Sequence, residues 1–201
     1  MSAVDNIHSG YVHRRRVTVL ASHLARLLPE GATVLDAGCG DGLLAQLISE
    51  ARPDTHLQGI DVMVRPGAHV PVKKFDGVTI PYADRSFDVV SFVDVLHHTE
   101  DPMVMLREAA RVAKQAVIVK DHLLDGLLAE RTLRYMDRVG NMKHGVVLPY
   151  NYWPRKKWLA AFQALGLRPA VWNERLHIYP WPADWVFGRR LHFMTRLERQ
   201  A

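Results

Sequence analysis

The chain has 201 residues, 48% of them hydrophobic and 23% charged, with a formal net charge of +5. This length and composition fit one globular domain over residues 1–201 with a sizeable buried core. Its apolar runs are too short to cross a membrane and its first residues lack a signal peptide, so we expect a cytoplasmic protein. A single cysteine, Cys39, excludes an intramolecular disulfide and a multi-cysteine metal site.

Positive residues occur in clusters at Arg14–Arg16, Arg155–Lys157 and Arg189–Arg190. Such clusters can bind nucleic acid or anionic lipid, but they are more often solvated faces. No zinc-ligand spacing or RNA-binding aromatic motif accompanies them. We therefore do not favour a nucleic-acid partner, leave peripheral membrane contact open, and expect a monomer or a homodimer.

The first two thirds of the chain alternate between helical and strand patterns. Apolar residues at helical spacing predict an amphipathic helix over Tyr11–Leu28. The elements that follow are a strand from Thr33 into a glycine-rich turn, a helix over Leu43–Ala51, strands over Thr55–Ile60, Val70–Phe75 and Phe87–Val95, a helix from Pro102 to Lys114 with Asp101 as its N-cap, and a strand over Ala116–Lys120. This alternation predicts a parallel sheet covered by helices on both faces.

The last third has a different composition, because all five tryptophans lie beyond residue 150. Its pattern predicts a helix over Leu123–Val139, a helix over Arg155–Leu165, and closing strands over Leu167–Trp172 and Leu191–Leu197 joined by a loop. Residues 123–158 are the candidate cap over a substrate site. Tyr150, Tyr152, Trp153 and His144 are its candidate substrate contacts, although aromatic rings here could equally form a small secondary core.

The segment TVLDAGCGDG, Thr33–Gly42, joins a strand to a helix through three glycines at alternate positions. Glycine is needed where the backbone takes positive φ or approaches a ligand without an intervening Cβ atom. Gly38, Gly40 and Gly42 therefore predict a small molecule lying against the main chain. We call Thr33–Gly42 the cofactor turn.

Acidic residues around the cofactor turn help to choose between candidate ligands. Asp61 ends the second strand 21 residues after Gly40, where an acid usually accepts a hydrogen bond from a ribose diol. Asp36 and Asp41 would repel the pyrophosphate of NAD but would attract an ammonium group. S-adenosylmethionine therefore fits better than NAD.

Three segments in this order carry a family resemblance: VLDAGCGDG, then GID at Gly59–Asp61, then DGVTIPYADRSFDVVSFVDVLHHTEDP at Asp76–Pro102. Over Thr33–Lys120 the chain resembles class I methyltransferases that use S-adenosylmethionine, especially the small-molecule enzymes of ubiquinone and menaquinone biosynthesis. The resemblance implies a Rossmann-like three-layer α/β/α sandwich with a seven-stranded, mostly parallel sheet whose last strand is antiparallel. It also implies methyl transfer to O, N or C of a small acceptor, which we expect to be hydrophobic or aromatic.

The resemblance implies roles for individual residues. Asp61 would hold the ribose hydroxyls, Met63 would pack on the adenine, and Asp76 would accept from the adenine amino group. The full set of implied cofactor contacts is Asp36, Gly38, Cys39, Gly40, Asp41, Gly42, Asp61, Val62, Met63, Asp76, Gly77, Val93, Asp94 and His97.

Methyl transfer needs little beyond alignment of nucleophile and methyl group, but a hydroxyl nucleophile is helped by a base. His97 and His122 each follow a predicted strand and are the candidate catalytic residues. No metal is expected, since no histidine pair spaced for a metal and no carboxylate-rich run accompanies them. Two other functions stay open at this point: an RNA methyltransferase that uses the basic clusters, and a partner protein that binds S-adenosylmethionine without turnover.

Overall fold

The computed structural model describes residues 3–141 and 149–200. They form a seven-stranded sheet with the strand order β3-β2-β1-β4-β5-β7-β6. The strands are β1 (Thr33–Ala37), β2 (His56–Asp61), β3 (Val72–Lys74), β4 (Phe87–Val93), β5 (Ala113–His122), β6 (Leu167–Asn173) and β7 (His192–Arg199). β7 lies antiparallel between β5 and β6, while the other paired strands are parallel. The predicted mostly parallel sheet with an antiparallel last strand is confirmed.

Helices pack against both faces of the sheet and connect its strands. They are α1 (Ala3–Leu27), α2 (Leu43–Ala51), α3 (Pro102–Val112), α4 (Ala129–Asn141), α5 (Arg155–Ala164) and α6 (Ala183–Phe187), with a 3₁₀ turn at Leu96–His98. The predicted cap of α3 is confirmed, because the Asp101 side chain accepts a hydrogen bond from the Met103 N–H at 2.9 Å. In the described ranges, no helix is both long enough and apolar enough to cross a membrane.

Two cores lie on opposite faces of the sheet. On one face α3 and α5 bury Leu106 and Phe162 against the strands, and both side chains are 0% exposed. On the other face α1 and α2 contribute Leu24 and Ile48. The central strands β1, β4 and β5 are covered on both faces, which is why β4 reads as the nearly continuous apolar run FDVVSFV.

The strand order places the cofactor turn at a break in the winding direction. β1 pairs with β2 on one side and with β4 on the other, so that Asp36 lies between Gly59 and Ser91. Crossovers run one way from β1 to β2 and β3 and the opposite way from β4 to β5. Open α/β sheets bind ligands in the crevice beyond the strand ends at such a point.

Several element boundaries differ from the sequence-based predictions. The strand predicted over Val70–Phe75 is the three-residue edge strand β3. The helix predicted from Leu123 begins only at Ala129, because the Leu123 N–H donates to Leu191 O at 2.9 Å and the Leu124 N–H to Trp153 O at 3.0 Å. Long-range pairing therefore overrides the local helical pattern there. The predicted loop between the last two strands contains α6.

Candidate active site

The cofactor turn has three glycines with positive φ angles, 80° at Gly38, 61° at Gly40 and 77° at Gly42. A Cβ atom on Gly38 would lie 2.5 Å from a methyl group of Val95, and one on Gly42 would lie 2.5 Å from a methyl group of Val70. A Cβ atom on Gly40 would meet nothing within 4 Å. The outer glycines therefore serve internal packing, whereas the middle one presents bare backbone to open space.

Main-chain hydrogen bonds tie the cofactor turn to the end of β2. The N–H groups of Gly38 and Cys39 donate to Ile60 O at 2.7 and 3.1 Å, and the Gly40 N–H donates to Asp61 Oδ2 at 2.8 Å. These three donors hold the turn in shape. These three N–H groups are therefore not free for a ligand.

The end of β2 forms an open edge with both acidic and apolar groups. Asp61 Oδ1 accepts from the Met63 N–H at 2.9 Å, which fixes the carboxylate beside the turn. Val62 and Met63 are 53% and 46% exposed, unusually high for apolar side chains in the middle of a fold. A Cβ atom on Gly77 would come within 3.0 Å of Val62, so the loop after β3 lies against this edge.

Asp76 anchors the loop after β3. Its Oδ1 accepts from the N–H groups of Val78 and Thr79 at 2.8 and 2.7 Å, and these bonds lower the pKa of the carboxyl group. Val78 is 55% exposed and extends the apolar edge formed by Val62 and Met63. The loop is thus a preformed turn beside an exposed apolar edge.

A cavity of about 200 Å³ lies beside the cofactor turn. Its walls come from α1, the turn, the start of α2 and the end of β4, and include Arg16, Val17, Leu20, Asp36, Gly38, Cys39, Gly40, Asp41, Leu43, Leu44, Val93 and Asp94. Most of the residues expected around the methionine end of the cofactor are therefore brought together. Asp61 and Asp76 lie outside it, along the open edge.

Asp36 is the buried acid of this cavity. It is 3% exposed, and its Oδ1 accepts a hydrogen bond from Ser91 Oγ at 3.0 Å. Burial raises the pKa of the carboxyl group to about 6. The group is mostly ionised at neutral pH and suits a positively charged ligand atom.

Asp94 closes the cavity at the end of β4 with a φ angle of 57°, uncommon for a residue other than glycine. Its carboxylate pairs with Arg16 and with the fully buried Lys120. Burial alone would raise the pKa of Asp94, but these two cations hold it well below its usual range.

Arg16 is a site residue that sequence reasoning missed. The sequence pattern groups it with Arg14 and Arg15 on a solvated basic face, whereas the structure places Arg16 in the wall of the cavity. Its partner Asp94 lies 78 residues away, so no local pattern reveals the pair. The one available signal was its position on a helix that directly precedes the first strand.

His97 is 1% exposed and lies between two acids. Its Nδ1 is 2.7 Å from Asp121 Oδ1, and its Nε2 is 3.5 Å from Asp137 Oδ2. Burial alone would lower the pKa of this histidine, but the charge and hydrogen bond of Asp121, aided by Asp137, raise it to about 10. His97 is therefore an imidazolium at neutral pH.

His122 adjoins His97 but differs from it in charge. Its Nδ1 lies 3.3 Å from His97 Nδ1 and 3.4 Å from Asp121 Oδ1, and the side chain is 3% exposed. Burial, together with the charge on His97, lowers the pKa of His122, so it is neutral at neutral pH. We call His97, Asp121, His122 and Asp137 the histidine cluster.

The histidine cluster revises the argument about metals. The sequence shows no carboxylate-rich run beside the candidate histidines, yet the fold brings Asp121 within 3.4 Å of both His97 and His122. That ground for expecting no metal therefore does not hold. The positive charges of His97 and of buried Lys120 nevertheless stabilise the neighbouring carboxylates, and both would disfavour a bound cation.

The candidate substrate residues occupy different environments. Trp153 is 4% exposed and packs against Trp158 in the main core, and Tyr152 is 6% exposed with its hydroxyl donating to Asp137. Tyr150 is half-buried beneath the Arg134 guanidinium, which lies 4.7 Å from the ring centre. His144 falls outside the described residues. In this conformation Tyr150 offers more free surface than the other two rings.

The basic clusters are partly engaged in contacts within the protein. Arg155 forms an ion pair with Glu174 at 2.8 Å and lies 5.1 Å from the ring centre of Trp172. The Lys157 ammonium lies 4.1 Å from the ring centre of Trp153. With Arg16 also paired, these contacts favour structural roles over nucleic-acid binding for two of the three clusters.

Comparison with known proteins identifies relatives. A family model described as a methyltransferase domain matches residues 11–170. The chain is 30% identical to 27-O-demethylrifamycin SV methyltransferase of Amycolatopsis mediterranei, over 55% of this chain and 48% of that protein. It is 35% identical to the ubiquinone biosynthesis O-methyltransferase of Hahella chejuensis, over 42% of this chain and 40% of that protein. The chain thus matches about half the length of these relatives or less.

A solved structure shares the whole fold. A chain from the complex between the Haloferax volcanii Trm112 methyltransferase activator and a methyltransferase superposes with a TM-score of 0.70 and 19% identity, covering 99% of this chain and 96% of that one. At this identity the likeness concerns the fold alone. The family match is independent of it and covers most of the chain. The chain belongs to the methyltransferase domain family, which confirms at the family level the prediction of a methyltransferase that uses S-adenosylmethionine.

Proposed function

We propose that this protein transfers the methyl group of S-adenosylmethionine to a small hydrophobic or aromatic acceptor. The observation that carries the proposal is the bare backbone of Gly40, which lines the cavity together with Asp36 and donates its N–H to Asp61 Oδ2. The positive φ of Gly40 by itself favours glycine, as it does at Gly31; what sets Gly40 apart is that its backbone lines the cavity that also contains Asp36. The cofactor supplies a methyl group activated by a sulfonium; the chain supplies its binding and alignment.

Each polar group of the cofactor has a matching residue. Asp36, buried and mostly ionised at neutral pH, would accept the ammonium group. Since the N–H groups of Gly38, Cys39 and Gly40 are taken, Arg16 would bind the carboxylate. Asp61 would accept from the ribose hydroxyls with lone pairs left over from its two backbone bonds.

The adenine would lie along the open edge. Val62, Met63 and Val78 expose apolar surface there, and flat rings bind well against such surface. Asp76 is held by two backbone bonds and would accept from the exocyclic amino group, with Gly77 alongside. Val93 and Asp94 would pass close to the reacting methyl group.

The acceptor would approach from the ends of β4 and β5, where the histidine cluster lies. Most of the rate can come from holding nucleophile and methyl group in line. Where a proton must be removed, we assign the base role to His122, because it is neutral at pH 7. His97 is protonated there and would instead orient its neighbours. His122 is only 3% exposed, so this role requires its buried neighbours, such as Tyr152, to move when the acceptor binds.

Calorimetric titration of S-adenosylmethionine tests the binding site. Asp61→Ala removes the proposed ribose acceptor and should weaken affinity by about 10- to 100-fold, since a hydrogen bond to a charged group contributes about 1.5–3 kcal/mol. Asp84→Ala is the matched control, because Asp84 is a 75% exposed carboxylate paired with Arg111, away from the turn. Unchanged affinity in Asp61→Ala would remove Asp61 from the site.

Release of S-adenosylhomocysteine with a panel of phenols, quinols and other small aromatic acceptors tests turnover. Product formation that depends on His122 supports the proposal. Tight cofactor binding with no product across the panel would favour the partner protein without turnover. Methylation of RNA, with binding that weakens steeply as salt rises, would favour the RNA methyltransferase.

A further inference from the structure

The last third of the chain exposes large apolar side chains that the proposed active site does not use. Trp181 and Trp185 are 87% and 78% exposed, and Leu127 is 86% exposed. Tyr135 on α4 is 60% exposed. Tryptophan is usually well buried. Two tryptophans this exposed and four residues apart therefore indicate a surface that binds a partner.

These side chains belong to two segments in contact. The rings of Tyr135 and Phe187 stack with centroids 6.3 Å apart and planes 15° apart. The Arg189 guanidinium lies 3.5 Å from Leu127 O and 3.4 Å from Thr132 Oγ1. Residues 126–139 and 181–190 therefore form one continuous area, which we call the tryptophan–arginine surface.

Arginines surround the apolar groups. Arg131 and Arg138 lie four residues before and three residues after Tyr135, on the same face of α4. Arg189 and Arg190 follow α6 directly and are exposed. Among the residues that the structure describes, none of these four arginines forms an ion pair within 4.0 Å of an acid. Their charges are free for an external anion.

The acids of this area are largely occupied. Glu130 pairs with Arg134 at 2.9 Å. Asp184 accepts from His177 at 3.0 Å and from the Tyr179 N–H at 3.3 Å. The area that remains for a partner is apolar and positive. That combination fits a layer with negative headgroups above hydrocarbon, because tryptophan and tyrosine favour this boundary and arginine binds phosphate in a bidentate manner.

We propose that the tryptophan–arginine surface docks the protein on bilayers that contain anionic phospholipid. Trp181 and Trp185 insert at the headgroup level, and Arg131, Arg138, Arg189 and Arg190 contact lipid phosphates. The docking does not require S-adenosylmethionine and goes beyond the proposed function. Its consequence for that function is a supply of apolar acceptor from the membrane.

Vesicle co-sedimentation of the full chain at room temperature and low salt tests the docking. Vesicles of phosphatidylcholine with about one third phosphatidylglycerol should bind the protein at least tenfold more strongly than phosphatidylcholine alone, and added salt should weaken binding. Trp181→Ala/Trp185→Ala should lower binding at least tenfold. Arg189→Ala/Arg190→Ala should reduce the preference for the anionic vesicles.

Matched controls keep the result specific. Leu159→Ala removes an apolar side chain that is 39% exposed on α5, and Arg26→Ala/Arg107→Ala removes two exposed charges elsewhere. Both should bind vesicles as the unchanged protein does. All variants should have the circular dichroism spectrum and the affinity for S-adenosylmethionine of the unchanged protein. A loss of vesicle binding alone then tests the docking, and a loss of cofactor affinity tests the proposed function.

Three outcomes would overturn the proposal. One is the absence of binding to anionic vesicles at low salt. Another is equal binding by the tryptophan double variant and the unchanged protein. The third is a dimer that forms without lipid, measured by sedimentation equilibrium, and that is lost in the tryptophan double variant. The surface would then join two copies of the chain.

Discussion

The cofactor turn and the histidine cluster lie at neighbouring strand ends but are built in opposite ways. The cofactor turn is short in sequence, relies on backbone geometry, and leaves Gly40 facing open space. The histidine cluster joins His97, Asp121 and Asp137, which lie up to 40 residues apart, and its groups are buried against one another. One region is preformed for a ligand; the other is a closed network of charges.

Because of this difference, we expect the two regions to contribute differently to cofactor affinity and to stability. Binding energy for the cofactor comes from an edge that is open before the ligand arrives, so changes there should alter affinity more than stability. Buried paired charges are costly to break, so changes in the histidine cluster should alter stability more than cofactor affinity. Four predictions test this division, beginning with the largest expected effect.

Asp121→Asn should lower the free energy of unfolding by about 3–5 kcal/mol, because it leaves a buried charge without its partner. Urea denaturation measures the change. The affinity for S-adenosylmethionine should change little in the folded variant. A loss of cofactor affinity as large as the loss of stability would show that the two regions do not act separately. Asp84→Asn, on an exposed carboxylate, is the control and should unfold as the unchanged protein does.

The stability of the protein should fall as pH rises from 7 to 9, by about 2–3 kcal/mol from His97 alone. The folded pKa of His97 is raised to about 10 from an ordinary 6.5, so its contribution is complete below pH 6.5 and is lost as pH rises through 10. His97→Gln should remove this slope in urea denaturation. Equal slopes for the variant and the unchanged protein would show that His97 is not held as an imidazolium.

Gly40→Ala should weaken S-adenosylmethionine binding by about 10- to 100-fold, since a methyl group placed in the ligand's path costs about 1–3 kcal/mol. Its stability should fall by only about 1–2 kcal/mol, the strain of positive φ. Gly31→Ala is a close control: its φ is 64°, and a Cβ atom there also meets nothing within 4 Å, but it lies outside the site. Equal cofactor affinity in the two variants would show that the backbone of Gly40 does not lie against the cofactor.

Cofactor affinity should fall by up to about tenfold between pH 7 and pH 5, as Asp36, with a pKa of about 6, takes up a proton and loses its attraction for the ammonium group. Calorimetry at both pH values measures this. Asp36→Asn should bind weakly at both. For the unliganded protein the sign reverses: the raised pKa makes the contribution of Asp36 to stability increase as pH falls from 6 towards 4. A pH-independent affinity would argue against Asp36 as the ammonium partner.

Sequence reasoning succeeded where structure is local. The strand, glycine turn and helix at Thr33–Ala51 follow from β-branched residues, positive-φ glycines and helical periodicity, and α2 has the predicted bounds. It failed where distant segments decide. Arg16 reaches Asp94 across 78 residues, and Leu123 and Leu124 are held extended by Leu191 and Trp153.

The position of β7 has a consequence for the order in which the protein is made. β7 covers the edge of β5 and pairs Lys120, Asp121 and His122 with Met194, Phe193 and His192. β1 to β5 are synthesised before β7, and a domain generally folds as a unit. The segments that form the cofactor turn are therefore complete early, whereas the edge of β5 beside the histidine cluster stays unpaired until β7 is made. An unpaired strand edge is a site for pairing with another chain, so β7 also protects the catalytic half of the proposed site from aggregation.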